Sequence, residues 1–451
     1  MNTRLSMYLA WHGMRLDSLP VAYTAIRIED RAHQGHRRLP QRLGGMLAHA
    51  WAHVPYYREV LPGPPPRAPW NDLGALQEYL DKAPPLTKDI LRASGQRLCA
   101  TAHHPRRTYR NTSGGSTGVP VLFQQDQRHW DITAATQMRN SEWYGRRFGQ
   151  PELFIWGSEI DILKGQAGLR MRAVNALSGR QYFNAFLMTE PNLRALFGSL
   201  TTTRWPLIVA YTQTLHEIAR LAHQRGLKLV PPGAIIVTAE TLHEFMRADI
   251  EDAFGAPVYN RYGSREVGDI AAECPEARTL HVFPWTCYVE IVDDDGRPLP
   301  PGEEGEVAIT SLTNRTMPLI RYRIGDRGTL LPDGRCECGR KGQQMAAVAG
   351  RSTDMFRRRD GGLVDGKFFL ALLHLKPWIR KYQIVQRDYD WVEIFVVPNG
   401  QPRPGDAEVA ALQRDARIAM DPDCHVDLRF VDDLARSGSG KWRYTISHVP
   451  S

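Results

Sequence analysis

The clearest apolar pattern of the chain lies between residues 206 and 259. Two short apolar runs, Pro206–Tyr211 and Ala234–Thr238, have the length and composition of buried strands. Each run is followed by a segment with helical periodicity, Thr212–Arg225 and Thr241–Phe254, and residues 257–259 begin a third strand. Strands that alternate with helices through short connections pair in parallel, so the pattern predicts an α/β core built on a parallel sheet.

Local signals predict helix boundaries at two places. Thr241 is a candidate N-cap, and Glu244, three residues later, completes a capping box. Nearer the start of the chain, apolar residues at helical spacing predict one amphipathic helix over residues 41–60. The proline- and glycine-rich segment 62–66 that follows predicts a stiff loop.

The pattern changes in the last third of the chain. Runs at 288–292 and 305–310 are separated by a turn rich in Asp, Gly and Pro, which predicts a hairpin or a small barrel element. After residue 350 the spacing predicts a compact α+β unit, with helices near 365–375 and 406–420 and strands at 382–387, 391–397 and 425–431. We therefore predict a large domain over residues 1–349 and a small domain over residues 350–451.

The composition is that of a globular protein: of 451 residues, 42% are hydrophobic and 24% are charged. Lys and Arg outnumber Asp and Glu by 57 to 49, which gives a net charge of +8. A basic chain fits three classes of partner, namely nucleic acid, an anionic membrane surface and anionic small molecules. The charge is spread along the chain, and its one tight run, Arg357–Arg359, fits either a solvated face or an anionic ligand.

Three further features bear on location. No apolar stretch approaches the ~20 residues that cross a bilayer, and the first residues lack the apolar segment of a signal peptide. Six cysteines in so long a chain do not make a disulfide framework. We expect a cytoplasmic protein without a membrane span.

A glycine-rich segment, Asn111–Pro120, is the strongest local motif. Its glycines allow tight turns that present consecutive N–H groups to an anion, and its hydroxyls add donors, so the segment suits a triphosphate. It is not a Walker A loop, because no Gly-Lys-Ser/Thr ends it. A flexible loop rich in Ser and Gly is the alternative.

Five more elements stand out along the chain. They are Thr238–Glu240 at the end of the second predicted strand, Tyr262–Glu266 just after the third, Arg321–Asp326, Gly350–Asp354 and Gly438–Lys441. Glu266 is a candidate Mg²⁺ ligand, because hard cations prefer carboxylate oxygens. Asp326, after a tight turn, can accept hydrogen bonds from both hydroxyls of a ribose. The alternatives are a surface glutamate, a turn-forming aspartate and a solvated lysine.

In this order and spacing, the elements resemble the adenylate-forming superfamily of acyl-CoA synthetases, peptide-synthetase adenylation domains and luciferases. Within it the chain is similar to the phenylacetate–CoA ligase branch and its CapK-like relatives, with His53–Arg58, Leu86–Lys88 and Tyr382–Gln386 as additional cues. The resemblance covers nearly the whole chain. It implies a large N-terminal adenylation domain with a parallel-sheet α/β core and small β elements, followed by a small mobile α+β domain.

The resemblance also implies a function. The chain would activate a small carboxylic acid with ATP and Mg²⁺, release pyrophosphate, and pass the acyl group from the acyl-AMP to coenzyme A. The residues implied to hold the β- and γ-phosphates are Thr112, Ser113, Gly114, Gly115, Ser116, Thr117 and Gly118.

The remaining elements acquire roles by the same resemblance. Tyr262 and Gly263 would line the adenine and acyl pocket, with Glu266 on Mg²⁺, Glu240 near adenine and Asp326 on the ribose.

Two basic residues near the predicted domain boundary and the C-terminus complete the implied site. Arg351 would lie at the domain junction near the ribose or phosphates. Lys441 would enter the site from the small domain. A carboxylate and a triphosphate repel each other, so a fixed cation at the developing charge lowers the barrier.

Two positions depart from the common pattern of these relatives. Val119 stands in the segment where many of them carry a lysine after the glycine loop, and Thr353 stands at the usual hinge position. A degenerate, non-catalytic member is therefore one alternative.

A second group of residues has the chemistry of a metal site. Cys274 and His281 lie seven residues apart, and Cys336 and Cys338 form a tight turn some fifty residues later. Three thiolates and one imidazole match a closed, tetrahedral structural zinc site. The alternative is unliganded thiols beside a surface histidine.

Two other functions remain open at this point. An AMP-forming amide or ester ligase would use an amine or alcohol instead of coenzyme A. A zinc-stabilised, basic nucleic-acid-binding protein is more distant, since no recognised nucleic-acid-binding module is present. We expect the acid, ATP and coenzyme A as partners, and no nucleic acid. The acid itself (aryl, fatty or amino) and the oligomeric state (monomer or homodimer) stay open.

Overall fold

The chain forms two compact units in the computed structural model. The residues that the structure describes are 3–14, 18–101, 108–112, 121–157, 169–185, 188–332, 334, 336–346, 348, 355–374, 376, 378–398, 404–434 and 445–449. Unit 1 comprises residues 1–113, 121–148 and 259–350, and unit 2 comprises residues 114–120, 149–258 and 351–451. The predicted division into domains 1–349 and 350–451 stays a prediction.

Helices contribute to both units. In unit 1 the α-helices are Thr3–Met14, Leu19–Arg31, Leu39–His53, Pro55–Val60, Leu73–Asp81, Lys88–Ser94 and Gln127–Trp143, with 3₁₀ turns at Gly35–Arg38 and Gly95–Leu98. In unit 2 they are Leu169–Ser178, Glu190–Thr202, Thr212–Gln224, Glu244–Phe254, Lys367–His374 and Asp406–Ala419. Within the described ranges, no helix combines the length and the apolar composition that a bilayer crossing requires.

The strands are numbered in chain order. They are β1 Thr108–Thr112, β2 Leu122–Asp126, β3 Glu152–Trp156, β4 Arg180–Asn184, β5 Leu207–Tyr211, β6 Ile235–Thr238, β7 Val258–Ser264, β8 Gly268–Glu273, β9 Leu280–Val282, β10 Cys287–Val292, β11 Glu304–Ser311, β12 Tyr322–Thr329, β13 Gln344–Met345, β14 Met355–Arg357, β15 Leu363–Asp365, β16 Ile379–Asp388, β17 Trp391–Pro398, β18 His425–Phe430 and β19 Thr445–Ser447.

Unit 2 contains the predicted parallel sheet. Its strands lie in the order β6-β5-β3-β4, and each neighbouring pair is parallel. Every residue of β5 and β6 is buried. This agrees with their almost entirely apolar sequences, because a parallel strand covered on both faces has no polar side. The α/β core is therefore confirmed.

Unit 2 also contains the predicted α+β element. The β16–β17 hairpin is antiparallel, and β18 and β19 add to its two edges in parallel, in the order β18-β17-β16-β19. The helices Lys367–His374 and Asp406–Ala419 belong to the same element, and Phe368 and Leu412 are buried in the core of unit 2. The predicted order of helices and strands after residue 350 is confirmed.

The arginine run 357–359 lies in this part of the chain. Each of its side chains forms an ion pair within unit 2, and the carboxylate partners are Glu217, Asp360 and Asp390. These pairs account for the run without an anionic ligand.

Unit 1 is built on antiparallel strands. The predicted hairpin at 288–292 and 305–310 is present as β10 and β11, and β12 extends it to three strands. A second set of strands has the order β13-β9-β8-β7, and β1 pairs with β2. A core that includes Leu43, Leu47, Val289 and Tyr322 lies in this unit.

Two predicted helix boundaries are wrong. The helix expected over residues 41–60 is broken at Val54, which is extended at φ −111° and ψ 112°. The ring of Pro55 disfavours helical geometry in the residue before it, and Pro55 then begins the next helix. Thr241 does not cap the second helix. That helix begins only at Glu244, with extended His243 at the cap position, since Leu242 is buried in the unit 2 core.

A close approach in unit 1 gives a stability prediction. A Cβ atom on Gly44, inside the helix Leu39–His53, would overlap the Trp70 ring, whereas a Cβ on Gly45 would lie at an ordinary 3.7 Å from that ring. We expect Gly44→Ala to lower the free energy of unfolding by about 1–3 kcal/mol through overpacking. Gly45→Ala is the matched control, and we expect it to raise that energy by up to about 1 kcal/mol through helix propensity. Denaturant unfolding of both variants measures the difference, and equal effects would contradict the packing argument.

Candidate functional site

Two motif residues from distant parts of the chain meet in unit 1. The Tyr262 hydroxyl on β7 donates a hydrogen bond to the Asp326 carboxylate on β12 over 3.0 Å. Both side chains are partly exposed. The phenol thereby fixes the orientation of a carboxylate that remains open to solvent.

A second tyrosine–carboxylate contact lies on the same strands. Glu266, in the turn between β7 and β8, is 5% exposed, and its Oε1 atom accepts from the hydroxyl of fully buried Tyr322 over 3.3 Å. Tyr322 precedes Asp326 by four residues on β12. The two contacts together hold the β7 turn and β12 side by side.

Leu86 pairs with the start of β12 through two backbone hydrogen bonds. Its N–H donates to the Arg321 carbonyl over 3.0 Å, and its carbonyl accepts from the Arg323 N–H over 2.9 Å. Leu86 therefore forms a parallel bridge with Tyr322, on the strand that carries Asp326.

The structure corrects two local expectations. Tyr262 and Gly263 lie inside β7 and not after it, at a bulge in the pairing with β8. A Cβ on Gly263 would lie 2.9 Å from the Gly268 carbonyl oxygen, so the close approach of β8 requires glycine there. Asp326 lies within β12 and not after a turn, and Gly325 before it has a positive φ of 89°. Residues other than glycine rarely adopt that backbone conformation.

The other residues that are predicted to bind the nucleotide lie in both units, and several of them lie outside the described residues. Thr112 ends β1, where its N–H donates to the Asn111 side chain over 2.9 Å, and residues 113–118 lie outside the described residues. Glu240 belongs to unit 2, is 7% exposed and accepts from the Gln213 N–H over 3.3 Å. Arg351 and Lys441 lie outside the described residues.

The four candidate metal ligands come together in unit 1. One ligand atom from each of Cys274, His281, Cys336 and Cys338 lies within 4.8 Å of all the others. The sulfurs of Cys274 and Cys336 are 3.6 Å apart, and the Cys338 sulfur is 3.3 Å from His281 Nε2. Tetrahedral zinc bonds would set these separations at about 3.8 Å and about 3.6 Å. The donor set and its spacing therefore fit a zinc ion.

Two short turns and one strand pairing bring these ligands together. Cys274 follows β8, where its N–H donates to the Thr279 carbonyl and its carbonyl accepts from Arg278 N–H. His281 lies on β9, which pairs with β13. The Cys336 turn is closed by a hydrogen bond from the Gly339 N–H to the Cys336 carbonyl over 2.8 Å.

The surroundings favour the metal-binding forms of two ligands. Burial, with the nearby Arg340 charge, lowers the pKa of His281 to about 4, so its imidazole is neutral at neutral pH. Burial raises the pKa of the Cys338 thiol, but hydrogen bonds from Arg340, Cys336 and Cys274 together outweigh it and leave this pKa below its ordinary value. Arg340 is itself held by Asp30 at 3.1 Å and lies over the Trp143 ring at 4.0 Å.

The sequence predicted no role for Tyr322, although this residue lies inside the Arg321–Asp326 motif. The sequence feature that could have indicated a role is the position of Tyr322 four residues before Asp326. Which side chain it would meet depends on how β12 lies against the β7 turn, and that is a tertiary property.

The chain is similar to known proteins over most of its length. The family described as the CapK C-terminal domain matches residues 356–448. Protein CapK of Staphylococcus aureus is 24% identical over 372 residues, which cover 82% of this chain and 80% of that protein. The phenylacetate–coenzyme A ligase of Aromatoleum evansii is 30% identical over 342 residues, which cover 72% of this chain and 73% of that enzyme.

Solved structures add a likeness of fold. The crystal structure of 2-hydroxyisobutyryl-CoA ligase, in complex with 2-HIB-AMP and CoA in the thioesterification state, is 20% identical and has a TM-score of 0.58. The match covers 91% of this chain and 89% of that one. The two chains share one fold over almost their whole lengths.

Proposed function

The chain belongs to the phenylacetate–coenzyme A ligase family of adenylate-forming enzymes, and we propose that it activates a small carboxylic acid with ATP and transfers the acyl group to coenzyme A. It is an AMP-forming carboxylate ligase. The observation that carries the assignment of the site is the meeting of Tyr262 with Asp326 and of Tyr322 with Glu266. These contacts join the two motifs that the superfamily resemblance assigns to the nucleotide and the metal.

The proposed first step is an in-line displacement. A carboxylate oxygen of the acid attacks the α-phosphorus of ATP, and the bond to pyrophosphate breaks. Asp326 would accept hydrogen bonds from the ribose hydroxyls, with its orientation set by Tyr262. In the second step the thiolate of coenzyme A attacks the acyl carbon, and AMP leaves.

Glu266 is the proposed ligand of Mg²⁺. Its carboxylate is 5% exposed, accepts a long hydrogen bond from a phenol, and forms no salt bridge with any lysine or arginine that the structure describes. A buried carboxylate in such surroundings fits a hard cation. When bound, Mg²⁺ would neutralise charge on the phosphate oxygens.

Glu266→Gln tests this role. The amide keeps the shape of the side chain but removes its charge, so we expect half-maximal ATP–pyrophosphate exchange to require at least about tenfold more Mg²⁺. Glu303→Gln, on an exposed turn residue, is the matched control and should leave the Mg²⁺ titration unchanged. A titration of Glu266→Gln that superimposes on the wild-type curve would rule out the metal role.

Other nucleotide contacts are proposed by resemblance. Residues 112–118 would hold the β- and γ-phosphates, Glu240 would lie near adenine, and Tyr262 with Gly263 would line the adenine and acyl pocket. Arg351 would lie at the domain junction near the ribose or phosphates, and Lys441 would enter the site from the predicted small domain.

Coenzyme A is the proposed acceptor because several relatives that cover 70% or more of the chain are phenylacetate–coenzyme A ligases. Pyrophosphate release should first be screened with aryl, fatty and amino acids. Coenzyme A, amines and alcohols should then be offered in parallel with the best acid, and the products identified by mass spectrometry. An acyl-CoA product is expected. An amide or ester, formed in the presence of unreacted coenzyme A, would assign the chain to the alternative ligase class.

We also propose that Cys274, His281, Cys336 and Cys338 hold one structural zinc. Protein side chains fill all four positions, which leaves none for water or substrate. The metal would therefore contribute stability, and no step of the reaction passes through it. The predicted cytoplasmic location and the lack of a nucleic-acid partner stay predictions.

A further inference from the structure

Gln125, on β2, is a buried amide with partners at both of its polar atoms. It is 1% exposed. Its Oε1 accepts from Asn111 Nδ2 over 3.0 Å. Its Nε2 donates to the Arg265 carbonyl over 2.8 Å, with the Glu266 carbonyl at 3.3 Å, and contacts His129 Nε2 at 3.0 Å.

The chemistry of these partners fixes the direction of each hydrogen bond. Turning the Gln125 amide over would place its oxygen against two carbonyl oxygens and its nitrogen against the Asn111 nitrogen, so the stated orientation is the satisfied one. An amide nitrogen only donates, so His129 Nε2 must accept. The imidazole proton then lies on Nδ1, which donates to Thr313 Oγ1 over 2.7 Å. Burial lowers the pKa of His129 to about 4, which keeps this ring neutral.

The network joins two parts of the proposed active site. Asn111 stands at the start of the glycine-rich segment, and its Oδ1 accepts from the Thr112 N–H over 2.9 Å. Arg265 and Glu266 form the turn that carries the proposed Mg²⁺ ligand. Gln125 contacts both directly, and His129 anchors it to the buried Thr313.

We propose that Gln125 is a positioning residue that keeps the phosphate-binding segment at Asn111 in register with the metal-binding turn at Arg265 and Glu266. The inference rests on the proposed function. Glu266 would hold Mg²⁺ and the segment after Asn111 would hold the phosphates of the same nucleotide, so the turn and the segment would have to keep a fixed separation. An amide side chain offers an acceptor oxygen to one segment and two donor hydrogens to the other at the same time.

Gln125→Met is the direct test, because it keeps the length of the side chain and removes both polar atoms. Gln124→Met is the matched control: it makes the same change one residue earlier, where the side chain is partly exposed and its amide lies 3.5 Å from exposed Gln96. In ATP–pyrophosphate exchange we expect Gln125→Met to raise KM for MgATP by roughly tenfold, the scale of one buried hydrogen-bond partner lost. KM for the acid should change less, and Gln124→Met should leave both constants unchanged.

A double-mutant cycle separates positioning from general destabilisation. If Gln125 acts on the phosphate segment through Asn111, then Asn111→Ala should raise KM for MgATP in the wild-type background and add little to Gln125→Met. Effects that multiply would overturn the inference. If Gln125→Met does not fold, Asn111→Ala alone serves as the test, because Asn111 is partly exposed. An unchanged KM for MgATP in Asn111→Ala would then overturn the inference.

A spectroscopic measurement reports on the network without catalysis. In histidine-¹⁵N-labelled protein, His129 should give the signals of a neutral ring protonated at Nδ1, and the Nε2 resonance should shift in Gln125→Met but not in Gln124→Met. No exchange by the wild-type enzyme with any acid would remove the proposed function and this inference with it. Wild-type exchange with an unchanged KM for MgATP in folded Gln125→Met would remove this inference alone.

Discussion

Lys441→Ala is expected to lower the rate of acyl-AMP formation by about 10²–10³-fold, the scale for losing one preorganised group that stabilises developing charge. The attacking carboxylate and the triphosphate are both anionic, so their approach needs a cation at the α-phosphate. Lys441 lies within the part of the chain that matches the CapK C-terminal domain and outside the described residues. Its role is proposed from the superfamily resemblance.

Two variants and two measurements isolate this effect. Lys441→Arg keeps the charge and should retain more activity than the alanine variant, whereas Lys228→Ala removes a lysine from an exposed position and should have no effect. Exchange of labelled pyrophosphate into ATP reports on adenylation, and equilibrium binding reports on the nucleotide. We expect nearly unchanged ATP binding in Lys441→Ala, because most proposed nucleotide contacts come from other segments. Normal exchange by this variant would show that the lysine has another role.

Local sequence was sufficient to predict the elements with strong periodicity. The apolar runs at 206–211 and 234–238 became β5 and β6 within one residue of the predicted bounds, because burial on both faces leaves only apolar residues in such strands. The helix after β5 likewise starts at Thr212 as predicted. Where the prediction failed, at Val54 and Thr241, the cause was a proline ring or the burial of a neighbouring residue, which outweighs helical spacing.

The residues of the site were predictable by type, but their contacts were not. Tyr262 and Asp326 are 64 residues apart in the chain, and Tyr322 and Glu266 are 56 apart. Such pairs depend on how β12 lies against the β7 turn, and no local pattern encodes that. The sequence around Gln125 indicated no role, because glutamine is mostly an exposed residue and Gln125 acquires its role only from its partners.

The cysteine cluster was predicted from ligand chemistry, and the structure adds proximity. Cys274 and Cys336 are 62 residues apart in the chain, and His281 and Cys338 are 57 apart. The pairing of β9 with β13 places Gln344 opposite His281, and β13 follows the Cys336 turn closely. Strand register thus determines the separation that spacing along the chain left open.

Cys336→Ser is expected to lower the free energy of unfolding by more than about 3 kcal/mol, since a metal site that is absent from the unfolded chain couples binding to folding. Cys99→Ser is the matched control, because both thiols belong to unit 1 and both residues are 6% exposed. A change at a buried thiol without a metal should cost only about 1 kcal/mol. Elemental analysis should find one zinc per wild-type chain purified without added metal, and much less in Cys336→Ser.

Activity should fall with the zinc, although the metal takes no part in the reaction. Cys336 follows the strand that carries Asp326, and Cys274 directly follows β8, which begins two residues after Glu266. Losing the link between these segments should misplace both carboxylates, so a zinc chelator should lower adenylation and stability together. Excess Mg²⁺ should restore neither, whereas added zinc should restore both. Negligible zinc in the wild-type protein, with full exchange activity in a strong zinc chelator and excess Mg²⁺, would falsify the proposal and leave three ordinary reduced thiols beside a neutral histidine.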